Sequence, residues 1–242
     1  MKPIILLGVL LLSATAVHVR GYGETIRSGR IIEILMAIDA GMDPDNPVEN
    51  GVTPLMAAAR YSHDPNDVDV LISMGADVNA RNDDGDTVLI AALGQRPDPE
   101  IVQMLLDAGA DVNATGYYGM TALLHAASPN PNPVIIRMLL KAGAEVDARA
   151  DDDATALMLA AINTNPVAVR ALLDAGADLN ARHSTGLTPL GFAVQYSTNP
   201  YVAGVILGAG AEVTDLVIEA LQENQALHGT DVYRAIERSR AE

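Results

Sequence analysis

Apolar residues in this chain recur in two alternating kinds of segment, each only two to three helical turns long. In the first kind a threonine precedes small and large apolar residues in succession, as in Thr53-Pro54-Leu55-Met56-Ala57-Ala58-Ala59. In the second kind an Asp-Pro or Asn-Pro pair precedes a segment with adjacent large apolar residues, as at Leu71 and Ile72. Thr, Asp and Asn cap the N-terminus of a helix, and proline suits its first turn. The pattern therefore predicts short helices that alternate in kind and are joined by polar segments.

These segments repeat with a period of 33 or 34 residues. Threonine marks the first segment at Thr53, Thr87, Thr121, Thr155 and Thr188, proline marks the second at Pro65, Pro99, Pro133, Pro166 and Pro200, and glycine ends it at Gly41, Gly75, Gly109, Gly143, Gly176 and Gly210. Glycine after a helix favours a left-handed C-terminal residue. Three markers in phase indicate an array of helix-turn-helix units.

The repeated sequence resembles the ankyrin repeat, in its bacterial, exported type. The resemblance is carried by Thr53-Pro54-Leu55 and Thr188-Pro189-Leu190, by Gly-Ala-Asp-Val-Asn at 75–79 and 109–113, and by Gly-Ala-Asp-Leu-Asn at 176–180. It implies an all-α solenoid of helix-turn-helix units with protruding β-hairpin-like loops, and a concave face of loops and first helices. One loop departs from the pattern, because Asp153 replaces its glycine; aspartate tolerates the left-handed region better than most residues.

The repeat phase sets the expected boundaries within a single ankyrin-repeat domain over residues 17–242. We expect an N-terminal capping unit at 22–48, repeats near 49–82, 83–116, 117–150, 151–183 and 184–213, and a C-terminal cap at 214–242.

Residues 1–16 have the three parts of a secretory signal peptide. Lys2 precedes an apolar run from Ile4 to Leu12, and Ala14-Thr15-Ala16 forms a small-residue cleavage site. The run is shorter than the roughly 20 residues that span a bilayer. We expect an exported protein, periplasmic or secreted, with no membrane span in the mature chain; a retained anchor and a buried first helix are the alternatives.

The net charge of the chain argues against two classes of binding partner. Lys and Arg total 15 against 31 Asp and Glu, so that the formal net charge is −16. This balance argues against binding nucleic acid or an anionic membrane, both of which need clustered bases. The five loops 43–52, 77–86, 111–120, 145–154 and 178–187 hold 14 acids and three bases. Of these acids, Asp43, Asp77, Asp111, Glu145 and Asp178 belong to the repeat pattern and are candidates for a structural role.

The sequence contains no recognisable catalytic, cofactor or metal motif. It has no cysteine, its five histidines fall in different repeats, and nucleophile-elbow, Walker and dinucleotide motifs are absent. Exposed tyrosines are typical binding anchors, whereas a tyrosine that only covers a neighbouring helix has a packing role. The candidate partner-binding residues are Tyr61, Tyr117, Tyr118, Tyr196, Arg60, Gln95, Asn163, Asp84 and Asp152.

We therefore expect a non-catalytic protein–protein interaction module outside the cytoplasm, without a cofactor, that binds a basic or enzymatic partner through its concave face and acidic loops. One alternative is a structural or self-associating envelope protein. The other is a weak calcium-dependent binding module, since residues 82–86 and 151–153 are rich in carboxylates. Neither segment has the spacing and terminal glutamate of an EF-hand.

Overall fold

The computed structural model describes residues 22–27, 30–94, 97–128, 132–163 and 165–239. Over these ranges the chain consists of short α-helices, 3₁₀ turns and loops, with no β-strand. Isolated bridge residues occur at Arg81 and Thr87, which pair with each other, and at Thr115 and Thr121. The all-α fold predicted from the sequence is therefore confirmed. The predicted signal peptide, residues 1–16, and the candidate Gln95 lie outside the described residues.

The chain divides into two compact units, Met1–Tyr117 (unit 1) and Tyr118–Glu242 (unit 2). The described helices of unit 1 are α1 (Tyr22–Arg27), α2 (Ile31–Asp39), α3 (Pro54–Tyr61), α4 (Pro65–Ser73), α5 (Val88–Ala92) and α6 (Pro99–Asp107). Those of unit 2 are α7 (Ala122–Ala127), α8 (Pro133–Lys141), α9 (Ala156–Ile162), α10 (Pro166–Asp174), α11 (Pro189–Tyr196), α12 (Pro200–Gly208), α13 (Asp215–Glu223) and α14 (Asp231–Ser239). Short 3₁₀ turns lie at Glu49–Gly51, Tyr117–Gly119 and Gln225–Leu227.

The helices pack as consecutive pairs. The odd-numbered helices, which we call first helices, each contact the following even-numbered helix, which we call a second helix. Within each unit, neighbouring first helices also contact one another. Contacts between second helices join α4 to α6 in unit 1 and link α8, α10, α12 and α14 in succession in unit 2. Each unit is thus a stack of helix pairs, the arrangement that a helix-turn-helix repeat requires to bury its apolar faces.

Side-chain caps fix where the helices begin. The Oγ1 atom of Thr53 accepts a hydrogen bond from the N–H of Met56 at 3.3 Å, and Asp64 accepts one from the N–H of Asn66 at 3.0 Å. The same caps recur at Thr87, Thr121, Thr155, Thr188 and Thr214 and at Asp98, Asn132, Asn165 and Asn199. The caps predicted from the sequence are therefore confirmed.

The ends of the second helices require glycine. Gly75 has φ +94°, and its N–H and that of Ala76 donate to the carbonyls of Ile72 and Leu71 at 3.0 and 3.1 Å. A left-handed residue at this point satisfies carbonyls that the helix leaves free. The same conformation is found at Gly41, Gly109, Gly143, Gly176 and Gly210. The chain therefore turns sharply into each loop at a position set by the sequence.

Burial differs between the two kinds of helix. In α3 every residue from Pro54 to Ala59 is buried, because its small alanines let neighbouring first helices approach closely. In α4 only one side is buried, at Val68 and Leu71. The residues available to a partner consequently come from the loops, the ends of the first helices and the exposed side of the second helices.

Candidate functional site

The recurring acid and asparagine of the Gly-Ala-Asp-Val-Asn segments link neighbouring repeats. Asp77 Oδ1 accepts from the N–H of Asn79 at 2.9 Å, and Asn79 Oδ1 accepts from the N–H of Asp111, one repeat later, at 2.8 Å. In unit 2, Asn180 accepts from the N–H of Glu212 at 3.0 Å in the same way. These polar groups stabilise the loops, as expected for acids that belong to the repeat pattern.

The loop arginines Arg81 and Arg149 form hydrogen bonds within the protein. Arg81 Nη1 donates to the carbonyl oxygens of Gly85 at 2.8 Å and Thr115 at 2.6 Å. In unit 2, Arg149 Nη1 donates to the carbonyl of Arg182 at 3.0 Å and lies 3.3 Å from Asp153 Oδ1. These bonds do not remove the arginine charges, since Arg81 and Arg149 are both exposed. The negative charge of the loops comes from the excess of their acids.

Among the residues that the structure describes, three loop residues other than glycine adopt a left-handed backbone. They are Asn50, Tyr118 and Asp153, with φ of 63°, 55° and 66°. The expectation for Asp153 is confirmed. Tyr118 is the unusual member, because a bulky side chain seldom adopts this conformation. Its carbonyl accepts from the N–H of Asp151 at 3.0 Å, so that this hydrogen bond joins the tips of two neighbouring loops of unit 2.

Asp152 contacts a histidine from the following loop. Its Oδ2 lies 3.3 Å from His183 Nε2, while His183 Nδ1 accepts from the N–H of Thr185 at 3.1 Å. Since Nδ1 accepts a backbone proton, the neutral ring carries its own proton on Nε2, directed at Asp152. Burial raises the pKa of the Asp152 carboxyl, but hydrogen bonds from Ala154 and His183 outweigh it and hold the pKa below its usual value.

The exposed aromatic side chains of unit 2 include Tyr118 and Tyr196, which are 63% and 51% exposed. The Tyr196 ring lies 5.7 Å from that of Phe192, and the Phe192 ring in turn lies 5.2 Å edge-on from the His183 ring. Through these contacts the exposed Tyr196 ring is connected to the Asp152–His183 pair and its loop. They bring together two of the residues predicted from the sequence, Asp152 and Tyr196.

The aromatic residues of unit 1 divide into two kinds. Tyr117 is half-exposed, and its N–H donates to Asp86 Oδ1 at 2.9 Å. The Tyr61 ring is half-buried beneath Arg27, whose guanidinium lies 4.3 Å from the ring centre, and Arg60 lies 5.6 Å away. Tyr61 and Arg60 therefore form a packed group with α1. Asp84 is exposed at the tip of its loop.

Asn163 joins three repeats of unit 2. Its side-chain amide donates to the carbonyls of Leu159 at 2.8 Å and Ala127 at 3.3 Å, and its backbone carbonyl accepts from Ser197 at 3.3 Å. These bonds give Asn163 a role in holding α7, α9 and α11 together. Asn163 is a candidate binding residue in the sequence because it occupies the same repeat position as Tyr61 and Tyr196. A repeat position does not indicate where the side-chain amide points.

Sequence reasoning missed the exposed side of the second helices in unit 2. Tyr201, the residue directly after the helix-starting Pro200, is 76% exposed. Val134 and Val167 occupy the same position in α8 and α10 and are exposed as well. A comparison of this one position in every repeat would have revealed the series.

The described ranges contain no group of three His, Asp or Glu side chains placed to hold a metal ion, so that the calcium alternative gains no support from the structure. No helix in the same ranges is long and apolar enough to cross a membrane.

Comparison with protein families identifies the repeat. A family model described as ankyrin repeats, in three copies, matches residues 24–116, 64–150 and 123–216. Together these ranges cover most of the chain. Comparison with curated proteins gave no match.

Proposed function

The chain belongs to the ankyrin-repeat family, whose members are typically non-catalytic modules for protein–protein interaction, and from this premise we propose that it binds a basic protein outside the cytoplasm through its loop acids, Tyr118 and Tyr196. The observation that carries the proposal is the net charge of the loops. Their 14 acids outnumber their three arginines, and Asp84 and Asp151 are exposed.

The loops provide attraction, and the tyrosines provide anchors. Opposite charges across an interface speed encounter and select the partner more than they raise its affinity. Tyrosine is enriched among the few interface residues that dominate binding energy. Tyr196 is supported by the Phe192 ring, so that little side-chain freedom remains to be lost on binding.

Partner capture tests the proposal. The tagged full chain is incubated with extracellular and periplasmic fractions at about 50 and 500 mM NaCl, and bound proteins are quantified by mass spectrometry. We expect a partner with a basic surface whose capture decreases at the higher salt concentration. A partner that is acidic, or that is retained equally at both salt concentrations, would contradict the role of the loop acids.

Matched variants separate local from bulk charge. Asp84→Asn with Asp151→Asn removes two loop charges, and Asp69→Asn with Asp174→Asn removes two from second helices, so that the net charge is the same. Only the loop pair is expected to weaken capture. Tyr196→Ala and Tyr118→Asn, which suits the left-handed backbone, are each expected to weaken binding about 30-fold if they are hot spots. If the two charge pairs behave alike, binding depends on bulk charge alone.

Export is tested on the N-terminus of the mature protein. The pattern of residues 1–16 predicts cleavage after Ala16. Intact mass measurement of the protein recovered outside the cytoplasm should give a chain beginning at Val17. Recovery of the intact chain in the cytoplasm would overturn this part of the proposal.

A further inference from the structure

The second helices of unit 2 carry exposed apolar residues at a position that unit 1 can fill with polar ones. The residue directly after the helix-starting proline is Val134, Val167 or Tyr201 in unit 2, and all three are exposed. In α4 and α6 of unit 1 the same position holds Asn66 and Glu100. Because the repeat accepts polar residues there, the apolar series serves no need of the fold. Contiguous exposed apolar surface is typical of an interface.

Tyr201 borders a groove of about 960 Å³ that lies over α12, between α10 and α14. Its floor includes Gly204 and Gly208, whose counterparts are Arg170 and Asp174 in α10 and Arg137 and Lys141 in α8. The groove exists because α12 lacks the side chains that cover this surface in the neighbouring helices.

Packing within the described chain does not require these glycines. A Cβ atom at Gly204 or Gly208 would meet no other atom within 4 Å, and neither has a positive φ. Glycine inside a helix costs about 1 kcal/mol relative to alanine. A partner that approaches the helix closely from outside would account for them.

The second helices of the two units carry opposite charge. In unit 1, α2, α4 and α6 contain six acids and no base. In unit 2, α8, α10, α12 and α14 contain five bases and three acids, and the excess of two bases comes from Arg137 and Lys141 of α8. The second helices of unit 1 also carry exposed apolar side chains, Ile32, Met36 and Val70. Each unit thus presents exposed apolar residues on its second helices, and the net charges of the two sets of helices are opposite.

We propose that this chain associates head-to-tail with a second copy of itself: the second-helix face of unit 1 (Ile32, Met36, Val70 and the acids of α2, α4 and α6) binds the second-helix face of unit 2 (Val134, Val167, Tyr201 and the α12 groove) of another copy. A second copy is the occupant because it supplies both exposed apolar side chains and a net negative charge, which the second helices of unit 2 lack. Such a contact uses different surfaces on the two copies, and it can therefore continue into longer chains or a ring.

This contact is separate from the loops and tyrosines proposed to bind a partner, and either proposal can fail without the other. Sedimentation of the full chain between about 5 and 500 µM should show a mass that rises with concentration, corresponding to a contact of micromolar affinity. Because the two faces are oppositely charged, the association should weaken between about 50 and 500 mM NaCl. A monomer at every concentration would overturn the proposal.

Two variants distinguish a head-to-tail contact from a symmetric one. Tyr201→Asn with Gly204→Gln disables the unit 2 face, using residues that α4 and α6 already carry at those positions. Ile32→Asn with Met36→Ala disables the unit 1 face, again with residues found at the same positions in other repeats. Circular dichroism and thermal unfolding confirm that each variant folds.

Each variant alone should be monomeric, because one of the two required faces is missing. An equimolar mixture should give dimers and nothing larger, since each variant retains the face that the other lacks. If the variant altered at Ile32 and Met36 still dimerises, the unit 2 faces pair with each other. If the variant altered at Tyr201 and Gly204 still self-associates, the α12 groove is not the contact. Either result would overturn the head-to-tail contact.

Discussion

Tyr61 in unit 1 and Tyr196 in unit 2 occupy the same position, eight residues after the capping threonine, and yet the structure uses them differently. The Tyr61 ring packs against Gly23 of α1, where an added Cβ would lie 2.7 Å from the ring, and Arg27 stacks on it. Tyr196 touches the Phe192 ring and leaves half of its own surface exposed. The role of a repeat position is thus decided by its neighbours, and the same residue type can serve packing in one unit and recognition in the other.

The largest difference that we expect between the two tyrosines is in the free energy of unfolding of their alanine variants. Tyr61→Ala removes a ring on which α1 packs and should lower the free energy of unfolding by about 2 kcal/mol, less than a fully buried aromatic residue would lose. Tyr196→Ala removes an exposed ring and should change stability by no more than about 0.5 kcal/mol. Urea unfolding followed by circular dichroism measures both. Equal losses would mean that Tyr196 is a packing residue, and would remove it from the proposed binding surface.

The sequence predicted the helices because their determinants are local. A capping threonine, an Asp-Pro or Asn-Pro pair and a terminal glycine each act within one turn, and every capped start was found where the pattern placed it. The roles of Tyr61 and Asn163 depend on contacts with other repeats, at Gly23 and at the backbone carbonyl of Ala127, which spacing cannot reveal. The groove over α12 was missed because an absent side chain leaves no motif, and it becomes visible only when Gly204 is compared with its counterparts.

Asn163 is a third member of this register and should behave as a structural residue. Asn163→Ala deletes the donors to Leu159 and Ala127 and leaves those carbonyls without this partner, for an expected loss of about 1 kcal/mol. Asn224→Ala is a stronger comparison case, because its amide donates to Val194 and Ser197 at 2.6 and 3.0 Å and its Oδ1 also accepts from the N–H of Ala226 at 3.0 Å. Unfolding measurements should give a larger loss for Asn224→Ala than for Asn163→Ala, with no change in partner capture for either. A loss of capture by folded Asn163→Ala would instead place this residue at the interface.

Two glycines within helices of unit 2, Gly204 and Gly191, are expected to differ in how their alanine variants change stability. Gly204→Ala should stabilise the protein by up to about 1 kcal/mol, because its Cβ enters open space and alanine favours the helix. Gly191→Ala in α11 is the control, since its Cβ would come within 3.0 Å of the Leu187 side chain and the gain should be reduced or lost. Thermal unfolding at low protein concentration compares the two without self-association. A destabilised Gly204→Ala variant would show that the fold itself requires this glycine.

The smallest effect concerns Asp152, which lies in the loop beside Tyr196. Its pKa in the folded protein is below the unfolded value of about 3.9, so that its carboxylate stabilises the fold above that pH, and the contribution is lost as the pH falls through the lowered pKa. The side chain is mostly exposed, which limits the contribution to about 0.5 kcal/mol or less. Asp152→Asn should therefore lower the melting temperature slightly at pH 7, and the difference should shrink as the pH falls through the lowered pKa of Asp152. In a His183→Ala background the same substitution should have less effect, because the contact with His183 is already gone. An undiminished effect there would show that the bond from Ala154, and not the histidine, accounts for the stabilisation.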